Sequence, residues 1–218
     1  VRVRAAGALA LAAAVALLAA GCSTQASGAG SSVTVSGRSL HIYISDPPQV
    51  QSDPSLQDVV DAAQLAFDEQ HAIVTRYAVA LRTLRHRLVS DNARAAIRDP
   101  SAIAYIGEIE PGASVQTAGI TEALDLLQLS PTDPTGIPDG DYEELSTYGR
   151  TFAHVAQKLP SVPGFAGRFA TAYHHPPAAD AVYGYQAMSL LLGELRSLGA
   201  GANDRAAVVR AVRKQTLG

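Results

Sequence analysis

Apolar and polar positions alternate over residues 40–45, with Leu40, Ile42 and Ile44 on one side and His41 and Tyr43 on the other. This pattern predicts a first β-strand. A Pro/Gln/Asp loop over 46–54 cannot extend it. Val59, Val60, Ala63, Ala66 and Phe67 then share a helical face, which predicts a helix over 55–69 with Ser55 as N-cap and Asp58 in the capping-box position. Residues 73–84 fit neither period cleanly, and a second strand is placed over 76–81. A helix over 88–98 closes at Asp99-Pro100. Residues 102–106, with the β-formers Ile103, Tyr105 and Ile106, are apolar on both faces, as in a strand buried within a parallel sheet.

The second half continues with a helix over 114–124, a strand over 126–129, a Pro/Gly/Asp/Thr loop over 130–141 and a short strand within 151–155. After a Pro/Gly-rich seam at 157–164, Phe165, Phe169 and Tyr173 form one helical stripe of core anchors. Asp180 is read as the cap of a helix reaching Leu198 and ending at Gly199 and Gly201; Asn203 is read as the cap of a last helix. Strands alternating with helices over short connections predict an α/β doubly wound parallel sheet.

Such sheets hold ligands outside the carboxyl ends of their strands, against amide N–H groups at helix starts. The stretch 99–114, DPSAIAYIGEIEPGAS, has that strand, glycine-containing loop and helix start. The same order is also what one βα unit of any α/β domain shows, so fold analogy alone does not establish a site.

The N-terminus adds an address. Arg2 and Arg4 precede an uncharged Ala/Leu/Val run over 5–20 and then Gly21-Cys22-Ser23, the grammar of a secretory signal. The run is short for a membrane span, which takes about 20 apolar residues. Cys22, the one cysteine, follows Leu18-Ala19-Ala20-Gly21 and resembles the lipidated residue of a bacterial lipobox, although Ala19 stands where Leu is commonest. The expectation is a signal peptide over 1–21, a Ser/Gly-rich tether over 22–39, and export with lipid anchoring to the outer face of the cell membrane. The remainder, about 180 residues, suits one domain with a proper core. A net charge of −3 with scattered arginines gives no basic face for nucleic acid.

Other candidate chemistry is thin. No P-loop, GxGxxG, GxSxG or HExxH occurs, and no cofactor or metal is called for. His174-His175 with Asp180 is the nearest approach to an acid–base or metal group, but adjacent histidines point apart and precede two prolines. Asp139, Asp141, Glu143 and Glu144 lack calcium-loop spacing and read as a solvated loop. His41 reads as a surface or rim residue, and Tyr183 and Tyr185 as packing residues. The chain is not read as an enzyme.

LHIYISDPPQ, DVVDAAQLAFDEQ, NARAAIRDPSAIAYIGEIEPGASV, LLQLSPT and GRTFAHV, in that order, resemble the extracellular solute-binding proteins of the leucine/isoleucine/valine-binding, type I periplasmic binding protein family. DAVYGYQAMSLLLGELRSLG followed by NDRAAVVRAV is similar to the family's closing segment. The resemblance implies two α/β lobes closing on an amino acid-like ligand delivered to an ABC permease. The ligand's carboxylate would meet Glu110, Gly112, Ala113 and Ser114 after the third strand and Ser130 and Thr132 after the fourth, with Ser45 and Gln49 after the first.

Three departures qualify this. Glu110 stands where a small neutral or hydroxyl residue is expected, and either binds an ammonium or, as the default reading, faces solvent. Pro111 removes a backbone donor. Between Val155 and Phe165 the family would carry most of a second lobe. The resemblance therefore implies a single shortened lobe: a first-lobe domain over 40–156, a seam at 157–164, and helices over 165–218 packing on the same lobe. Half a cleft has no hinge to close and buries less ligand, so intrinsic affinity is expected to be weak or absent. Two functions fit: a solute-binding lipoprotein for branched-chain or related amino acids, or a membrane-tethered sensing or protein-interaction module that reuses one lobe.

Overall fold

The structure, a computed structural model, describes residues 32–70, 73–74, 76–133, 149–156 and 159–216. Its elements in chain order are β1 (Ser39–Ser45), α1 (Pro48–Gln51), α2 (Pro54–Gln70), β2 (Ile73–Val74), β3 (Tyr77–Leu84), α3 (Val89–Arg98), β4 (Ala102–Ile106) and a 3-10 turn (Ala113–Gln116). Then come α4 (Ala118–Glu122), β5 (Leu127–Ser130), β6 (Phe152–His154), α5 (Phe165–Tyr173), α6 (Ala181–Leu198) and α7 (Arg205–Thr216).

The strands form one sheet in the order β2-β3-β1-β4-β5-β6. Five are parallel; the two-residue β2 pairs antiparallel with β3 at the edge. The chain steps from β1 to β3 on one side and from β3 to β4 on the other, so β1 and β4 flank the point where strand order reverses. At such a point the loops leaving two adjacent strands diverge to opposite faces and open a crevice.

The β1 alternation holds in full. Leu40, Ile42 and Ile44 enter the larger core with Val59, Ala63, Met188 and Leu191, whereas Tyr43 joins a smaller core with Ala93, Ala96, Tyr105 and Leu126. Thus α2, α6 and α7 cover one face and α3 and α4 the other, the doubly wound arrangement. All five residues of β4 are buried, as a central parallel strand requires. Phe165, Phe169 and Tyr173 stack along α5 with centroids 5.7 and 4.7 Å apart, as core anchors.

Several local readings are corrected. The α2 cap is Asp53: its Oδ1 accepts from the Ser55 amide at 2.9 Å and the Ser55 hydroxyl at 2.6 Å, with Pro54 as first helical residue. Asp58 makes no capping box and instead accepts from the Ala178 amide at 2.7 Å. Asp180 gives no side-chain cap to α6. Asp204 caps α7 through the Ala207 amide, while the Asn203 side chain donates to the Val35 carbonyl. The helix expected over 114–124 is a 3-10 turn and a five-residue helix separated at Thr117. Val35, assigned by sequence to the tether, is buried, and its amide donates to the Asn203 carbonyl. Residues 1–31, 134–148 and 157–158, which carry the signal, Cys22, the acidic loop and the start of the seam, lie outside the described residues.

Two contacts lock the helices to the sheet. Arg205 is buried and donates to the carbonyls of Ala102 and Leu124 at 2.9 and 2.8 Å and of Asp99 at 3.3 Å, tying the start of α7 to the amino end of β4. Gly184 lets α6 press directly on α2: an added Cβ would lie 1.9 Å from the Val59 carbonyl oxygen. Gly193, on the same helix, faces open space. We predict that Gly184→Ala destabilises the protein by about 3 kcal/mol or more through overpacking against backbone. Gly193→Ala should be neutral or stabilising by up to about 1 kcal/mol through reduced chain entropy. Denaturant midpoints of the two variants check the pair; equal effects would mean that α6 and α2 are not in this contact.

Candidate functional site at the carboxyl edge of the sheet

The reversal of strand order places the ends of β1, β4 and β5 side by side. From β1 the chain passes through Ser45 and Asp46 into α1. From β4 it passes through Gly107, Glu108 and Ile109, rises to Glu110-Pro111-Gly112, and descends into the 3-10 turn. Gly112 makes that reversal with φ of +84°, a left-handed conformation that glycine adopts without Cβ strain. From β5 the chain passes through Ser130, Pro131, Thr132 and Asp133.

The loops after β4 and β5 are stitched together by the residues that the sequence proposed as ligand donors. The Ser130 hydroxyl donates to the Glu108 carbonyl at 3.0 Å and accepts from the Asp133 amide at 3.2 Å. The Thr132 hydroxyl donates to the Ile109 carbonyl at 2.9 Å. Ser114 Oγ accepts from the Glu108 amide at 3.0 Å, and the Ala113 amide donates to the Glu110 carbonyl at 3.1 Å. The Gly112 amide donates to Asp133 Oδ1 at 2.7 Å. Ser45 Oγ, after β1, accepts from Asn92 Nδ2 at 3.0 Å. Ser45, Ala113, Ser114, Ser130 and Thr132 are buried, whereas Glu110 is exposed as expected and Gln49 is exposed on α1.

Three carboxylates that the sequence reading passed over dominate the electrostatics. Glu108 is 1% exposed; its Oε1 accepts from the Tyr105 hydroxyl at 2.7 Å and its Oε2 has no hydrogen-bond partner. Burial pushes its pKa up to about 7, against the lowering pull of the Tyr105, Ser45 and Thr117 hydroxyls, and Asp133 adds to the rise. Asp133 is itself buried and its pKa is raised by burial; its Oδ2 is unpartnered. Asp46 is buried beside β1, where Arg85 Nε donates to its Oδ2 at 2.8 Å while Oδ1 stays unpartnered. Burial outweighs that guanidinium, 63% exposed, and leaves the Asp46 pKa raised.

Beneath Glu108 the polar network continues into the smaller core. Gln128 Nε2 donates to the Thr117 hydroxyl at 2.8 Å, and the Thr121 hydroxyl donates to Gln128 Oε1 at 2.9 Å. The one sequence signal for Glu108 was its position: a carboxylate between Gly107 and Ile109, directly after a strand apolar on both faces, is carried into the interior by its neighbours.

The remaining candidates lie elsewhere. His41 is at the opposite edge of the sheet, its Nδ1 2.5 Å from Asp99 Oδ2, which also accepts from the Tyr43 hydroxyl at 2.6 Å. Burial alone would raise the Asp99 pKa, but the Tyr43 and His41 hydrogen bonds prevail and lower it. His175 Nε2 lies 3.7 Å from Asp58 Oδ1. Among the described residues no group of three or more His, Cys, Asp or Glu is placed to hold a metal ion, and no helix is long and apolar enough to cross a membrane. Tyr185 packs on Phe165 and donates to Glu69 Oε2 at 2.6 Å. Tyr183 lines an apolar cavity of about 520 Å³ with Leu159, Val162, Phe165, Val182 and Gln186.

No family model and no curated protein matches the sequence. Solved structures do match the fold. An ABC transporter substrate-binding protein from Desulfitobacterium hafniense, in complex with leucine, is 14% identical with a TM-score of 0.56, over 81% of this chain and 89% of that one. The leucine-binding protein LivK from Thermotoga maritima is 15% identical with a TM-score of 0.58, over 82% and 87%. The branched-chain amino acid substrate-binding protein LivJ from Streptococcus pneumoniae, in complex with isoleucine, is 8% identical with a TM-score of 0.57, over 82% and 88%. At these identities the likeness is one of fold: the chain has a type I periplasmic-binding-protein-like α/β fold, built here as one lobe-sized body.

The buried Glu108 carboxyl fixes a pH dependence. The folded state keeps its proton up to about pH 7, whereas the unfolded chain releases it near 4.5. This contribution to stability is therefore complete at low pH and is lost as the pH rises through about 7. We predict that Glu108→Gln, which cannot ionise, gains on the wild type by up to about 3 kcal/mol between pH 4.5 and 8. Urea unfolding across that range measures the difference; a constant difference would mean that Glu108 is solvated in the folded state.

Proposed function

We propose that the chain is a solute-binding lipoprotein of an ABC-type importer for branched-chain or related amino acids, working as a single shortened lobe with weak intrinsic affinity. The observation that carries this reading is the sheet order, which brings the loops after β1, β4 and β5 together at the reversal point, in a fold shared with proteins solved with leucine and isoleucine bound. Ser45, Gln49, Glu110, Gly112, Ala113, Ser114, Ser130 and Thr132 are the proposed ligand-facing set. Cys22 is the proposed lipidation site, holding the domain at the outer face of the cell membrane.

One observation favours a second reading. The hydroxyls of Ser130 and Thr132 donate to loop carbonyls, and Ser114 Oγ accepts from a loop amide, so these three side chains bond within the edge itself. A membrane-tethered sensing or interaction module, without transport, fits that inward use. Co-purification from native membranes separates the two: an ABC permease supports import, and a sensor protein in its place supports the module.

Two measurements test the leading proposal. Metabolic labelling with palmitate should mark the protein and should be lost in Cys22→Ser; unchanged labelling would remove the anchor from the account. Titration calorimetry should show leucine, isoleucine or valine binding more weakly than low-micromolar. Low-micromolar binding by a monomer would contradict the half-cleft.

A further inference from the structure

One flank of the sheet lies outside both readings above. β3 pairs with β1 over residues 78–84 against 39–45. On its other side, among the described residues, only Tyr77 and Ala78 are paired, with the two-residue β2. The Ala78 amide donates to the Arg38 carbonyl and the Leu84 carbonyl accepts from the Asp46 amide, both at 2.8 Å. The even-numbered residues of β3 therefore turn their backbone groups toward β1, and Val79, Leu81 and Thr83 turn theirs outward. Among the described residues nothing bonds to those three N–H groups and three carbonyls. We propose that this outward edge of β3 is a docking site for an extended, acidic segment of a partner protein, which joins the sheet as a further strand.

Charge selects the occupant. In a chain of net charge −3, residues 71–90 carry Arg76, Arg82, Arg85 and Arg87 and no Asp or Glu. All four arginines are exposed. Arg85 is paired with the buried Asp46, but among the described residues no carboxylate lies within ion-pair distance of Arg76, Arg82 or Arg87. An unpaired strand edge recruits other strands, and charged side chains along it decide which ones are refused. A second copy would set one basic edge against another, and like charges across a strand pair are destabilising. An acidic strand gains instead. The register also fixes its pattern. Val79 and Leu81 stand beside Leu40 and Ile42, on the face of the larger core, whereas Arg82 stands beside Tyr43 on the other face. A docked strand that alternates apolar and acidic residues places its apolar side against Val79 and Leu81 and its carboxylates beside Arg82. Main-chain bonds then supply affinity and the side chains specificity.

The test is amide-proton NMR on the full chain in detergent, titrated with a short acetylated peptide of alternating glutamate and valine and with its lysine counterpart. In the free protein the amides of Val79, Leu81 and Thr83 should exchange with solvent at least about a hundredfold faster than those of Ala80 and Arg82. The glutamate peptide should slow the outward three about tenfold and bind at least about tenfold more tightly than the lysine peptide. Arg82→Glu should reverse that preference. Thr83→Pro removes an outward N–H and leaves the ladder to β1 intact, so it should weaken the glutamate peptide about fivefold. Retained protection of the Ala80 amide shows that each variant is folded. Slow exchange of the outward amides in the free chain would mean that a second copy already covers the edge, and would overturn the inference. So would equal affinity for the two peptides, no effect of the glutamate peptide at millimolar concentration, or binding of a single-stranded oligonucleotide in its place.

Discussion

The carboxyl edge of this sheet is organised around one buried acid. Glu108 leaves β4 two residues beyond the last strand position and is surrounded by protein, where a charged carboxyl is costly unless paired. No cation is paired with it among the described residues. Instead its amide goes to Ser114, its carbonyl to Ser130 and its carboxyl to the Tyr105 hydroxyl. Those three bonds draw the 3-10 turn, the β5 loop and β4 itself onto a single residue. Burial pushes its pKa up to about 7, so the carboxyl keeps its proton through the acidic range in which an exposed glutamate is already charged.

The two faces of the sheet carry different duties. The face under α2, α6 and α7 is apolar, closed tightly enough that Gly184 must lack a side chain. The face under α3 and α4 holds the polar chain from Asn92 and Ser45 through Glu108 to Thr117, Gln128 and Thr121. Apolar packing tolerates local shifts gradually, whereas a buried polar network must be wholly satisfied or lose several hydrogen bonds together. Geometry at the candidate site is thus set by the smaller, polar side, while the larger side supplies cohesion. Arg205 links the two from the opposite edge, through the carbonyls of β4 and of the segment entering β5.

Much of this was legible in the chain. Alternation in β1 and the two-sided apolar run of β4 each reflect burial by neighbours that any parallel α/β sheet supplies, so pattern sufficed. β3 was harder because its Arg82 and Thr83 are exposed near the sheet's rim; pairing with β1 extends it through Leu84, a tertiary effect invisible to periodicity. Caps were misassigned where acids and hydroxyls cluster, at Asp53 beside Ser55 and at Asn203 beside Asp204, since either type can cap and only backbone direction decides. At the break, Gln128 reaches across from β5 and donates to the Thr117 hydroxyl. The edge loops were located correctly, but the inward use of their hydroxyls was not, because Asp133 carries no local sign of burial and Glu108 only its place between Gly107 and Ile109 after a strand apolar on both faces.

The most direct test of this account is the titration of Glu108 itself. Carbon-13 NMR of its side-chain carboxyl should report a midpoint near pH 7, the behaviour of an acid enclosed beside Tyr105 and Asp133. A midpoint in the ordinary glutamate range would mean that water reaches the carboxyl, and the closed, buried edge described above would not exist.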